Sequence, residues 1–166
     1  MRIARFVKAE IPGFENAYIS SVAALPGIRE SNRIKTEYWC TCGDIVSYRK
    51  FDDAILRSNY EIDVHGASAA AGGSLEYNKS LPENEQFFEM PYRSIVPKGI
   101  SNLLVCGRCA GFDFYAQSAL RVQFCCQAMG EAAGIAAAIA IKNNLHFKDV
   151  DGVKVRKVMC SRGAML

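Results

Sequence analysis

Hydrophobic and polar residues follow one another along the first half of the chain in patterns that predict one helix and two strands. Apolar residues recur at helical spacing over residues 2–10, and Pro12 and Gly13 end that pattern. Residues 18–23 and 35–41 contain β-branched and aromatic side chains that are typical of strands. The first half therefore predicts a helix followed by extended segments.

The second half shows clearer patterns. Residues 90–96 alternate as in a strand, and residues 102–106 form a compact apolar run that predicts a buried strand. Residues 118–143 contain no proline and much alanine, which predicts one long helix. A short last helix is predicted over residues 150–159, with Gly163 as its stop. Together these elements predict an α+β fold in which strands precede a long helix of small residues and a short terminal helix.

Two segments between these elements need separate interpretations. Residues 66–85 are rich in Ala, Gly, Ser, Asn and Pro and show little periodicity, which predicts a long exposed loop and the place of any internal boundary. Asp52 and Asp53 stand at a predicted helix start, where acidic side chains complement the helix dipole. A metal-binding or acid–base role is the alternative for this pair.

Composition and charge narrow the class of protein. The 166 residues suit one ordinary domain, and a chain that is half hydrophobic is not intrinsically disordered. The net charge of +3 comes without a long basic run, so we expect no nucleic-acid partner. Residues 122–141 are long enough to cross a bilayer, but their glutamines and Glu131 favour a buried helix, and we expect no membrane partner. Seven cysteines, an odd number, indicate a reducing compartment and a cytoplasmic protein.

The turn that follows the predicted strand 102–106, together with the long helix, is the most informative region for chemistry. Small residues at Gly130, Ala133 and Gly134 allow a backbone or a flat ligand to approach the helix closely. The N-terminus of a helix also offers unpaired N–H groups and the positive end of a dipole. The alternative is tight packing of the helix on a sheet without any ligand.

Two further groups of polar residues are candidates for a site. Arg29 and Arg33 are four residues apart and are candidates to bind a carboxylate or phosphate by bidentate hydrogen bonds, and ion pairs with Glu30 or Glu37 are the alternative. Asp63 and His65 lie on one side of an extended segment, which would suit a general base with its orienting partner. A structural role for His65 is the alternative.

The cysteines suggest a rival interpretation. Two pairs, Cys40 with Cys42 and Cys106 with Cys109, would supply four thiolates to a structural zinc ion, or the second pair would form a redox dithiol. The first pair has only one residue between its cysteines, and Cys106 is predicted to be buried in a strand. Most of the thiols are therefore expected to act as small apolar side chains.

Several sequence blocks occur in a recognisable order. They are PGFENA (12–17), GIRESNRI (27–34), YEIDVHG (60–66), MPYRSIVP (90–97), NLLVCGRC (102–109), SALRV (118–122) and QAMGEAAG (127–134). In this order they resemble the C-terminal part of a bacterial family of FAD-dependent oxidoreductases. The resemblance implies a two-domain, glutathione-reductase-like flavoprotein whose Rossmann part carries a glycine-rich GxGxxG turn.

No GxGxxG occurs in the 166 residues. We therefore expect the chain to be the C-terminal portion of a longer enzyme, without the N-terminal Rossmann half. Residues 1–85 would form a substrate-side region, and residues 86–166 would supply the last strand and helices of the FAD-binding domain.

The resemblance also implies roles for particular residues. Gly107 and Arg108 would lie beside the diphosphate and ribityl chain of FAD, the following helix would point its N-terminus at the flavin ring, and the helix would approach the cofactor at Gly130, Ala133 and Gly134. The substrate-side candidates are Arg29, Arg33, Asp63, His65 and Arg121. The chain departs from the family's usual residues at Phe114, where His is usual, at Glu131, where Gln is usual, and at Asn32, where Arg is common. The missing imidazole argues against an acid–base role for the turn.

The implied reaction is hydride transfer between a small organic substrate and the flavin, with this chain inactive by itself. An alternative of another class is a non-catalytic interaction module that forms a homo-oligomer through an uncovered apolar face. A small zinc or thiol protein is the second alternative.

Overall fold

The fold is described by a computed structural model that covers residues 2–30, 32–64 and 75–166. Its helices are α1 (Arg2–Glu10), α2 (Cys42–Val46), α3 (Phe114–Leu120), α4 (Gln123–Asn143) and α5 (Gly152–Ser161), and its strands are β1 (Ala54–Ser58) and β2 (Phe88–Pro91). Short 3₁₀ turns occur at Glu83–Glu85, Tyr92–Ile95, Gly107–Cys109 and Phe147–Asp149. The predicted α+β class is confirmed.

The two strands form an antiparallel pair on which the C-terminal helices pack. Leu56 lies opposite Met90 and Ser58 opposite Phe88, with an irregularity in the register near Ala54. Helices α4 and α5 both contact β1 and each other. The largest fully buried apolar side chains include Ile55 of β1, Phe88 and Met90 of β2, Met129 of α4 and Met159 of α5, together with Tyr92, Phe112 and Leu120. Each such side chain contributes about 1.5–3 kcal/mol through burial, so this layer supplies the main stabilisation.

Helix α4 is buried along one face only. The buried positions recur every three or four residues: Cys125, Met129, Ala132, Ile135, Ala136 and Ala140. The helix ends at Asn144, whose left-handed backbone (φ 51°) suits the end of a helix. Length and hydropathy would allow α4 to cross a membrane, and 33% of its most apolar window is buried inside the fold.

Several predicted elements are confirmed, and two are wrong at their ends or in their interior. Helix α1 matches the predicted residues 2–10, and α5 matches the predicted last helix within two residues at each end. The predicted helix over 118–143 is divided, because Val122 takes an extended conformation (φ −70°, ψ 154°). The predicted strand over 90–96 instead ends at Pro91, which has no N–H to continue a ladder, and a 3₁₀ turn follows.

Other predicted strands are absent from the described part of the chain. Residues 18–23 form no strand, and Tyr18 and Val22 are largely exposed. Residues 35–41 take part only in isolated bridges, through Thr36 and Cys40. Among the described residues, neither segment has a neighbouring strand with which it forms a continuous ladder of backbone hydrogen bonds. Its β-branched and aromatic residues therefore do not build a strand.

The apolar run 102–106 is also not a strand. Only Val105 is buried there, and its N–H donates to Ile95 O at 2.9 Å. Cys106 is exposed, contrary to the prediction. Asp53 precedes β1 in a turn rather than opening a helix, and its carboxylate binds Arg93 at 2.9 Å.

The predicted long loop 66–85 lies partly outside the described residues, and a 3₁₀ turn at Glu83–Glu85 lies within its last residues. Core residues come from both sides of residue 85, and the division into 1–85 and 86–166 stays a prediction.

Candidate functional site

The turn Gly107–Cys109 presents free backbone donors beside α4. Gly107 has a left-handed backbone (φ 78°), which favours glycine, and a Cβ there would lie 3.8 Å from Cys126 Sγ. Several hydrogen bonds hold the turn, among them those from Ala110 N–H to Gly107 O at 3.2 Å and from Gly111 N–H to Ser94 O at 2.9 Å. Among the described residues, the N–H groups of Arg108 and Cys109 have no hydrogen-bond partner. The turn is therefore rigid but keeps donors available for a ligand.

The carboxylate of Asp113 sets the direction of α3. It accepts from Ala116 N–H (2.8 Å), which caps the helix, and from Cys42 N–H (2.8 Å), which joins α3 to α2. The first residue of α3 is Phe114, whose half-buried ring lies edge-on to Tyr115 at 5.4 Å. A phenyl ring at this position transfers no proton.

Two buried polar residues on α3 and at its end reach towards residues 29 and 30. Gln117 Nε2 donates to the backbone oxygens of Arg29 and Arg108, at 3.4 Å each. One turn further on, Arg121 Nη1 donates to Glu30 Oε1 at 2.7 Å. This pair of side chains therefore holds the 29–30 segment against the Gly107–Cys109 turn. Sequence analysis missed Gln117, although a polar residue four positions before Arg121 in an apolar helix was the available signal.

Arg121 also contacts Asp63, another of the predicted catalytic residues. Its Nη2 donates to Asp63 O at 2.8 Å and lies 4.0 Å from Asp63 Oδ2, while only 5% of the Arg121 side chain is exposed. A guanidinium that is buried and hydrogen-bonded in this way links the chain segments that contain Glu30 and Asp63. The predicted base His65 lies outside the described residues.

Arg29 and Arg33 have no carboxylate partner in the described part of the chain. The expected alternative was an ion pair with Glu30 or Glu37, but the Glu30 carboxylate binds Arg121 instead, and neither arginine forms a salt bridge with another described residue. Arg29 is exposed and Arg33 is half-buried. Neither the expected ion pair with Glu30 nor one with Glu37 is found among the described residues.

Gly130 and Gly134 lie on the exposed side of α4, whereas Ala133 is half-buried and packs against the core. A Cβ added at Gly130 or Gly134 would meet no heavy atom within 4 Å, so packing of these glycines on a sheet is not observed among the described residues. Cys126 precedes Gly130 by one helical turn and faces Gly107, so the open stripe of small residues is continuous with the turn. Glu131, on the same side, is engaged by Arg162 at 3.1 Å.

The thiols form no described metal site. All seven cysteines are free, and no group of three or more His, Cys, Asp or Glu side chains in the described ranges is arranged to hold a metal ion. Burial raises the pKa of the Cys126 thiol, and the neighbouring Arg108 guanidinium opposes that shift. Cys109 Sγ lies 3.6 Å from Cys106 O, which places this pair on one side of the turn.

Comparison with known proteins identifies the class. The model of the FAD dependent oxidoreductase family matches residues 1–159, so the chain belongs to that family. No curated protein and no solved structure matches it significantly.

The family implies FAD, and the residues present fit such a ligand. FAD is long, carries a negatively charged diphosphate and ends in a flat ring. The unpaired N–H groups of Arg108 and Cys109 are suitable donors for the charged part, and the bare surface at Gly130 and Gly134 allows a close approach.

Proposed function

We propose that the chain supplies the cofactor-facing and substrate-facing part of an FAD-dependent oxidoreductase. The observation that carries this proposal is the continuity between a turn with unpaired N–H donors and an open stripe of small residues on α4. When bound, FAD supplies the redox chemistry by exchanging a hydride with a small organic substrate. The protein provides orientation and charge.

On the cofactor side, Gly107 and Arg108 would hold the diphosphate and ribityl chain of FAD. Gly130, Ala133 and Gly134 let the cofactor, or the domain that carries it, approach α4 closely. The N-terminus of the helix that follows the turn would favour negative charge on the flavin ring, and the Arg108 guanidinium would favour the charge of the diphosphate.

On the substrate side, Arg29 and Arg33 bind the substrate, while Arg121 and Asp63 hold the segments that carry them. His65 is the proposed general base, with Asp63 orienting its ring. The phenyl side chain of Phe114 carries no exchangeable proton, so it takes no part in proton transfer.

We also propose that a Rossmann half with a GxGxxG turn completes the FAD site and that this chain is inactive by itself. Support comes from exposed apolar side chains along the N-terminal segment, at Ile3, Phe6, Tyr18, Val22 and Leu25. These side chains are candidates to be covered by another domain. Free thiols are consistent with a reducing, cytoplasmic location.

The same exposed side chains favour one alternative, a non-catalytic interaction module. In that case the chain self-associates through the apolar surface, and size-exclusion chromatography with light scattering would show a concentration-dependent homo-oligomer. FAD would neither bind nor change that state.

The test is a titration of the purified chain with FAD, followed by quenching of flavin fluorescence. We expect saturable binding that Arg108→Ala weakens, whereas Arg2→Ala, an equal loss of charge on the exposed surface of α1, leaves it unchanged. If the chain does not bind, the titration is repeated after fusion to a Rossmann half. Failure to bind in both forms would exclude the proposed function.

A further inference from the structure

The turn Gly107–Cys109 has a cysteine at each end. Cys106 is the residue before the turn, and Cys109 is its last residue. The Sγ atom of Cys109 lies 3.6 Å from the backbone oxygen of Cys106, so the side chain of the second cysteine reaches the first. The Cα atoms at the ends of a four-residue turn lie within about 7 Å of each other, and a disulfide spans about 4.4–6.8 Å. The backbone therefore holds the two cysteines at a distance that a disulfide can span.

The two thiols differ in exposure. Cys106 is exposed, whereas Cys109 is half-buried. An exposed thiol reacts with a reagent from solution, and a protected thiol beside it then resolves the product, which is the division of roles found in dithiol sites. The sequence argues against a redox pair here only because it predicts Cys106 to be buried in a strand. The structure removes that objection.

The remaining cysteines are less suited to this chemistry. Burial raises the pKa of four thiols and so keeps them in the less reactive protonated form: Cys40, Cys42, Cys125 and Cys126. Cys160 is the other exposed cysteine of the seven, and it lies on α5. It therefore provides a matched comparison for Cys106.

We propose that Cys106 and Cys109 form a reversible dithiol–disulfide site that exchanges with a small disulfide from solution. The Cys106 thiolate attacks one sulfur of the small disulfide, which forms a mixed disulfide and releases the other half as a thiol. The Cys109 thiolate then attacks the Cys106 sulfur, which closes the protein disulfide and releases the second half. The protein dithiol loses two electrons and two protons, and the small disulfide takes them up as it becomes two thiols. Excess small thiol reverses both steps.

The test equilibrates the full chain, in the absence of oxygen, with mixtures of reduced and oxidised glutathione at millimolar concentration. Free thiols are then blocked with N-ethylmaleimide, and the chain is digested with trypsin. Cleavage after Arg108 separates the two cysteines into peptides 99–108 and 109–121, each with one cysteine, so mass spectrometry detects the proposed disulfide as this linked pair. We expect the linked pair to exceed the glutathione mixed disulfide of Cys106 by about tenfold or more.

Variants and a denaturant assign the effect to the turn. Cys109→Ser should abolish the linked pair and leave Cys106 as the mixed disulfide, whereas Cys160→Ser should leave the linked pair unchanged. In urea, the equilibrium constant for closing the disulfide should fall by about tenfold, because the fold no longer holds the two ends of the turn together. Circular dichroism confirms that each variant is folded in the absence of urea.

Three outcomes would overturn the site: no linked pair, a disulfide between other peptides, or an equilibrium constant that urea leaves unchanged. The exchange needs no flavin, so this inference goes beyond the proposed function. The FAD titration can succeed when the thiol exchange fails, and the two failures are therefore distinguishable.

Discussion

Alanine substitutions at two glycines should change stability in opposite directions. In Gly134→Ala, the new methyl group meets no heavy atom within 4 Å, and alanine is favoured over glycine in a helix interior by about 0.8–1 kcal/mol. The free energy of unfolding should therefore rise by about 1 kcal/mol, which raises Tm by about 2–4 °C in a chain of this size. Gly130→Ala should behave in the same way, because its surroundings are equally open.

Gly111→Ala is the contrasting variant. Its Cβ would lie 1.6 Å from Thr36 Oγ1 and 2.8 Å from Thr36 Cβ. Thr36 is 3% exposed and its hydroxyl donates to Tyr38 O at 2.7 Å, so it has no room to turn away. We expect a loss of about 3 kcal/mol or more, as for severe overpacking of a core.

Urea unfolding followed by circular dichroism measures both effects. The reasoning is refuted if Gly134→Ala is neutral or destabilising in the monomeric chain, because some group would then pack on the outer face of α4. FAD binding provides a second readout: a methyl group between α4 and the cofactor, or its domain, should weaken FAD affinity while it stabilises the free chain. Unchanged affinity would remove Gly134 from the proposed cofactor site.

Three further predictions concern the buried polar groups and the thiols. Arg121→Met should lower the free energy of unfolding by about 2 kcal/mol, because the charge-assisted hydrogen bonds of a buried guanidinium are lost. A loss below about 0.5 kcal/mol in urea unfolding would contradict this prediction. Burial raises the pKa of the Cys125 thiol to about 12. At mildly alkaline pH, iodoacetamide should therefore modify the exposed Cys160 before Cys125. Mass spectrometry that finds equal rates of modification for these two cysteines would disprove this prediction. Burial and the hydrogen bond to Asp44 raise the pKa of Tyr38 from 10.0 to about 12. The protonated hydroxyl of Tyr38 should therefore stabilise the fold fully below pH 10, and this stabilisation should be lost as the pH rises towards 12. The free energy of unfolding of Tyr38→Phe should not show this decrease between pH 10 and 12.

The proposed site shows where sequence reasoning reached its limit. Arg29 was singled out from its spacing to Arg33, and Arg108 from the family resemblance, but nothing local indicated that the backbones of Arg29 and Arg108 are joined. Gln117 joins them, and its amide reaches Arg29 O across 88 residues of sequence. Hydrogen bonds between segments so far apart leave no periodic pattern in the chain.

The sequence by itself determined the helices α1, α4 and α5 and the membership in a flavoprotein family, because helical periodicity, alanine content and short motifs are encoded by neighbouring residues. Tertiary structure decided the break between α3 and α4, at which Arg121 turns inward to bind Glu30, 91 residues away, and Asp63, 58 residues away. It also decided that residues 102–106 remain outside any described sheet, because an apolar run becomes a strand only where a neighbouring strand accepts its backbone hydrogen bonds.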